Sequence, residues 1–176
     1  TLIGDEPFLP YHRPPLSKTQ LDPNGEAELQ LLRAEDFYTA NDISVRTGSR
    51  VDHIDPATKH ILIGDEKLAY DKLVLCTGSV HRLPPIKGLD SSNVFTLKTA
   101  QDAENIRNNA KTAKRAVIVG AGFIGLEVAA SLRKQDIEVT VIEFAARVLS
   151  RVTSPEVSAF FEQLHRDHGV DLRTGA

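Results

Sequence analysis

The sequence predicts an α/β fold in which parallel strands alternate with helices. Three observations predict it. A short apolar, β-branched run, "AVIV" (residues 116–119), is followed at once by Gly120, Gly122 and Gly125 in G-x-G-x-x-G spacing. A helical pattern then leads into a second β-branched run, "EVTVI" (138–142), which ends on Glu143. In the first half another apolar run, "YDKLVLCTG" (70–78), stops abruptly on Thr77 and Gly78. Short continuous apolar runs of this kind suit strands of a parallel sheet, whose two faces are both covered.

The bulk properties set the class. Of 176 residues, 26% are charged and 41% are apolar, the balance of an ordinary globular domain. A net charge of -3 argues against a nucleic-acid or membrane-surface binder. No apolar stretch approaches the roughly 18 residues that cross a bilayer, and no signal segment leads the chain. The single cysteine, Cys76, excludes an internal disulfide and fits a reducing, cytoplasmic setting. The chain opens on Thr1 within a strand-like run and contains no methionine, so a fragment of a longer protein is expected.

In order along the chain, "TLI" reads as the end of a strand, with Asp5 and Glu6 directly after it. Then comes "PFLPYHRPPLSK" (7–18), with four prolines. It reads as a linker, a polyproline ligand, or a stiff loop holding Arg13 and Lys18 against an anion. A helix is expected over residues 33–42. "SRVDHID", "KHILI" and the start of the 67–78 run form short strands, with turns at Asn24-Gly25 and Gly64-Asp65. Residues 70–78 read as a buried strand whose small Thr77-Gly78 end lets a ligand lie across the carboxyl edge. Cys76 in that strand reads as a buried thiol with nothing nearby to activate it.

The second half carries the sharper pattern. Gly120 permits a tight turn, Gly122 lets backbone approach a pyrophosphate, and Gly125 lets the helix sit close to the strand. Ile124, Val128 and Leu132 recur every four residues as one helix face. Glu143 stands 18 residues after Gly125, where a carboxylate accepts hydrogen bonds from ribose hydroxyls and repels a 2′-phosphate. The non-phosphorylated dinucleotide is therefore expected. Arg147 and Arg151 read as surface arginines or as contacts to the rest of that cofactor. Ser154 is an N-cap, Pro155 the first helical residue, and Gly169 the stop of a helix striped by Val157, Phe160, Phe161 and Leu164. "VDLRTG" is a third strand. His165 and His168 read as solvated surface histidines, since no partner ligands for zinc are in view.

Taken together, "GDEPFLPYHRPPLSK", "YDKLVLCTGSVHRLPPI" and "VIVGAGFIGLEVAASL…VTVIE" resemble the flavoprotein reductases with two dinucleotide folds. Within them the chain most resembles the NADH-dependent ferredoxin reductases of oxygenase systems, a branch related to apoptosis-inducing factor. The resemblance implies two Rossmann-like domains, both incomplete here, with a small antiparallel β element in the first half. Residues 1–98 would be part of an FAD-binding domain and 99–176 part of an NADH-binding domain.

The resemblance also implies roles by position. Asp5, with Glu6 beside it, would hold the adenosine ribose of FAD. Arg13 and Lys18 would contact that cofactor, Lys18 near the reactive end of the isoalloxazine. Val51 would offer backbone contacts to the adenine, Thr77 and Gly78 would mark the chain crossing beneath the flavin, and Arg82 would lie near it. Gly120, Gly122, Ile124, Gly125 and Glu143, with Arg151, would form the NADH site. Glu127 would point toward the nicotinamide and flavin and approach Lys18 across the two domains.

Disulfide reductases of this superfamily carry paired cysteines in segments where residues 5–20 and 96–119 have none. Electrons from NADH and FAD are therefore expected to pass outward, singly, to a small iron–sulfur protein of the ferredoxin type. Two alternatives stay open. One is a flavin enzyme of the same fold with oxygen, rubredoxin or a redox-signalling partner as acceptor. The other is a non-catalytic module that senses a dinucleotide.

Overall fold

The computed structural model describes residues 1–25 and 28–176. The chain divides into two compact units, one of Thr1–His12 with Gln30–Arg82, the other of Arg13–Leu29 with Leu83–Ala176.

In the first unit, β1 (Leu2–Ile3) pairs in parallel with β2 (Val45–Arg46), Leu2 opposite Val45. Between them lies α1 (Glu35–Ala40), inside the predicted 33–42, with Tyr38 buried. Crossing from one parallel strand to the next through a helix is the usual connection, because a hairpin would reverse the strand. β3 (His53–Asp55), β4 (His60–Ile63) and β5 (Glu66–Ala69) form an antiparallel meander with Ile54 opposite Ile61 and Ile61 opposite Leu68. Gly64, at φ +58°, makes the two-residue turn between β4 and β5, a conformation most side chains avoid.

The expected strand over 70–78 does not form. No regular structure follows Ala69 until Ala100, and Val74 and Leu75 are 81% and 63% exposed. Cys76 is exposed as well, so the expected buried thiol is corrected. A central parallel strand exists only through ladder bonds from its neighbours. Past Tyr70, whose N–H donates to the Lys59 carbonyl at 3.0 Å, no described strand pairs with this run, and the apolar pattern alone cannot supply those bonds.

The second unit begins at Arg13, within the proline segment, whose second half is neither a linker nor a polyproline helix. Pro14–Ser17 and Thr19–Leu21 are two short 3₁₀ turns with Leu16, Ser17, Gln20 and Leu21 buried. Proline at the first positions costs no hydrogen bond there and presets φ. α2 (Ala100–Ala110) follows, unanticipated from sequence, although Thr99 and Asp102 form a complete capping box at its start. β6 (Arg115–Val119), α3 (Phe123–Arg133), β7 (Glu138–Glu143), α4 (Pro155–Asp167) and β8 (Val170–Thr174) complete the unit. The sheet order β6-β7-β8 is wholly parallel, with Ile118 opposite Val141 and Val141 opposite Leu172.

One face of this sheet is closed by α3. Val139, Val141, Val170 and Leu172 are buried with Leu126, Val128, Ala129 and Leu132. Each such valine or leucine contributes roughly 1.5–3 kcal/mol relative to exposure. Three readings need correction here. Val117 and Val119 of β6 are exposed, because alternate residues of a strand face opposite sides and α3 covers one of them. Ile124 is exposed in the first turn of α3, while Val128 and Leu132 of the expected face are buried together with Leu126 and Ala129. In α4 the predicted stripe is turned outward: Phe160 is 62% exposed, while Ser158 and His165 are buried.

His165 is therefore no solvated histidine. It lines a cavity of about 410 Å³ with Ala130, Arg133, Lys134, Leu164, His168 and Val170. Burial first, and the neighbouring His168 second, hold its imidazole below the ordinary value. Ser154 caps α4 through the Val157 N–H, and Gly169 at φ +79° ends it, both as predicted. Among the described residues no helix is long and apolar enough to cross a membrane, and no group of ligating side chains could hold a metal ion.

Candidate functional site

The glycine turn lies at the carboxyl edge of the parallel sheet, between β6 and α3. Gly120 adopts φ +102°, and its N–H donates to the Ile142 carbonyl at 2.8 Å, carrying the ladder one residue past β6. A Cβ on Gly125 would lie 2.1 Å from the Gly120 carbonyl oxygen, so only glycine lets α3 start this close to the strand. A Cβ on Gly122 would meet no protein atom within 4 Å. Its absence thus serves no internal packing and leaves open approach to the backbone. Gly122 is also the N-cap of α3, and no side chain caps that end. The free N–H groups and the helix dipole there fit a phosphate.

Glu143, the last residue of β7, is held by two backbone donors. Its Oε2 accepts the Ala121 N–H at 2.7 Å and its Oε1 accepts the Ala145 N–H at 2.8 Å. The carboxylate is thereby fixed beside the glycine turn, with the remaining lone pair of each oxygen available to a ribose hydroxyl.

Beyond Glu143, Arg147 proves to be an internal staple. Its guanidinium donates to the carbonyls of Ser150 and Thr153, both at 2.9 Å, and to Ser158 Oγ at 2.6 Å. Arg151 stands exposed in the same loop, and Ile124 is exposed beside the turn.

The proline segment brings a second group onto α3. Lys18 Nζ lies 2.9 Å from Glu127 Oε1, the approach the resemblance implied, but both residues belong to the second unit, so the pair does not bridge two domains as expected. Glu127 Oε2 accepts the Ser17 hydroxyl at 2.5 Å. One and two turns further along α3 and its end, Ser131 Oγ donates to the Ser17 carbonyl and Gln135 Nε2 to the Leu21 carbonyl, each at 2.8 Å. Ser17, Ser131 and Gln135 were missed from sequence. The available signal was polar residues four apart, 127 and 131 in a largely apolar helix and 135 just past its end. A cleft of about 750 Å³ opens here, lined by Lys18, Thr19, Glu127, Ser131 and Lys134 among others. Arg13, in the same unit, donates to the Lys98 carbonyl at 2.7 Å.

The remaining expected residues lie in the first unit. Asp5 is exposed just past β1, and Glu6 accepts the Tyr11 hydroxyl at 2.5 Å while its carbonyl receives the Gly48 N–H. Val51 is half-buried ahead of β3. Thr77, Gly78 and Arg82 are exposed along the irregular 70–99 segment, Gly78 at φ +68°.

This geometry matches known proteins. The pyridine nucleotide-disulphide oxidoreductase family matches residues 1–176. The chain belongs to that family. Putidaredoxin reductase of Pseudomonas putida is 45% identical over 178 residues, which take in 99% of this chain and 42% of that protein. A crystal structure of a ferredoxin reductase from Rhodopseudomonas palustris superimposes with a TM-score of 0.93 at 35% identity, over 98% of this chain and 43% of the other. The structure of a covalent putidaredoxin reductase–putidaredoxin complex gives 0.91 at 44% identity, over 99% and 43%. The chain thus spans about two fifths of the length of these relatives.

Proposed function

We propose that the chain is part of a flavoprotein reductase that takes hydride from NADH and delivers single electrons to a small iron–sulfur protein of the ferredoxin type, which feeds an oxygenase. One NADH supplies two electrons, so two carrier molecules are reduced per turnover. FAD supplies the step between two-electron and one-electron chemistry when bound; the protein contributes positioning and electrostatics.

The observation that carries this reading is the placement of Ser17 and Lys18 on Glu127. By the resemblance, disulfide reductases carry a redox cysteine pair in this proline segment or before the glycine turn. Here Cys76 is the sole cysteine and Lys18 stands against Glu127 instead. With no cysteine pair in either of those segments, an acceptor outside the protein fits best. Similarity to reductases named for putidaredoxin and ferredoxin supports an iron–sulfur acceptor.

In this reading residues 1–98 serve FAD and residues 99–176 serve NADH, with Lys18 reaching the site where the two meet in the reaction. Gly122 and the uncapped start of α3 take the dinucleotide phosphates, and Glu143 orients the ribose and disfavours a 2′-phosphate. Exposed Asp5 at the carboxyl end of β1 fits the ribose of FAD, with Glu6, Arg13, Val51, Thr77, Gly78 and Arg82 as further contacts. Kinship with the apoptosis-inducing-factor branch and a cytoplasmic location rest on the sequence reading.

The test uses the full-length protein. Purified with bound flavin, it is expected to oxidise NADH, to reduce a ferredoxin, and to leave an aromatic disulfide reagent unreduced. Absence of flavin would point to a dinucleotide-sensing module. NADH oxidation indifferent to ferredoxin would move the acceptor to oxygen, rubredoxin or a signalling partner.

A further inference from the structure

The segment from Ser17 to Leu21 is fastened along α3 at three levels. Glu127 and Ser131 are four residues apart and stack on one side of α3, and Gln135 follows in the turn just past its C-cap, Lys134. The first accepts the Ser17 hydroxyl, the second donates to the Ser17 carbonyl, and the third donates to the Leu21 carbonyl. Ser17 is the junction of this clasp, bound through both side chain and backbone, and is only 5% exposed.

Its hydroxyl has one proton and two acceptors within reach. Pro14 offers a carbonyl at 3.4 Å, Glu127 a carboxylate oxygen at 2.5 Å. The shorter, charge-assisted bond takes the proton. Glu127 then has one oxygen on Ser17 and the other on Lys18, whose Nζ also donates to the Pro14 carbonyl at 3.3 Å. Half of the Lys18 side chain is exposed, and an exposed lysine ion pair has little power to fix its own geometry. The nearly buried neighbour does that.

We propose that Ser17 is the positioning residue of the Lys18–Glu127 pair: its hydroxyl holds the carboxylate against rotation, so the lysine ammonium has one defined place beside it. Ser131 fixes Ser17 in turn, through its carbonyl. The inference rests on reading this pair as part of the NADH–flavin site.

The test compares the full-length flavoprotein with its Ser17→Ala and Ser17→Thr variants. The first readout is acylation of lysine amines by acetic anhydride, followed by peptide mass mapping. Lys111 and Lys134, which line the same cleft, serve as internal references. Ser17→Ala is expected to raise the Lys18 rate about fivefold with the references unchanged, and Ser17→Thr to restore it. The second readout is flavin reduction by NADH. It should slow about tenfold in Ser17→Ala with KM within about twofold, the split of an interaction that acts after binding. Should Ser17→Ala fail to fold, Ser131→Ala, which keeps the hydroxyl and loosens its anchor, should still raise Lys18 acylation. Unchanged Lys18 acylation, or an equal rise at Lys111 and Lys134, would overturn the proposal. A wild type whose flavin NADH cannot reduce would overturn the proposed function instead, and acylation would still judge the clasp.

Discussion

The Glu143 carboxylate at the end of β7 accepts the backbone N–H of Ala121, 2.7 Å away in the glycine turn. The residue proposed to orient a ribose is thus also a structural tie. It joins two neighbouring strand ends at the sheet edge where a dinucleotide would lie. Replacing it removes acceptors from two N–H groups, those of Ala121 and Ala145. Glu143→Ala should cost about 1.5–3 kcal/mol in stability, read from urea unfolding, as well as NADH affinity.

The three glycines separate by what a methyl group would meet. At Gly125 it would collide with the Gly120 carbonyl oxygen, so Gly125→Ala should lower the unfolding midpoint in line with about 1–3 kcal/mol of strain. At Gly122 it would meet no protein atom. Gly122→Ala should cost at most about 1 kcal/mol, the weaker N-cap, yet reduce NADH affinity in a titration of the full-length protein. Equal stability losses at both positions would contradict the geometry.

Arg147 is committed to the loop after β7. With its guanidinium on Ser150, Thr153 and Ser158, Arg147→Ala should destabilise by about 2–3 kcal/mol, measured by chemical denaturation. Arg147→Lys should recover little of it, because an ammonium lacks the planar fork that spans these acceptors. Arg151→Ala, on the exposed side of the same loop, should change stability by less than about 0.5 kcal/mol.

His165 makes stability depend on pH. Its folded-state value lies below the ordinary 6.5, so near and below pH 6.5 the unfolded chain binds a proton that the folded chain refuses. Its contribution is therefore fully present above pH 6.5 and is lost as pH falls through the lower folded value. Arg133, Lys134 and His168 line the cavity with it, and among the described residues no carboxylate lines it to compensate the new charge. Thermal unfolding followed from pH 7.5 to 5 should show a falling midpoint, and His165→Leu should flatten that slope. The carboxylates held low by their partners, Asp55, Glu66, Glu156 and Asp171, act in a separate window below the ordinary carboxylate values, their contribution being lost as pH falls through the lowered values.

What the sequence by itself determined is whatever acts over a few residues. The Gly120 turn, the Gly64-Asp65 hairpin, the Ser154 cap, the Gly169 stop and strands β6, β7 and β8 all follow from backbone φ, capping or local apolar runs. The approach of Lys18 to Glu127 came from resemblance, since nothing local links them. Only the tertiary structure decided which apolar residues are buried and which polar groups meet. Val74 and Cys76 look like core yet lie exposed because no described strand pairs with them; Phe160 looks like core yet faces out while His165 faces in. Ser17 finds Glu127 across 110 residues of sequence. Burial and hydrogen-bond partnership depend on surfaces supplied by distant chain, and a local pattern carries no information about which of its two sides that surface will reach.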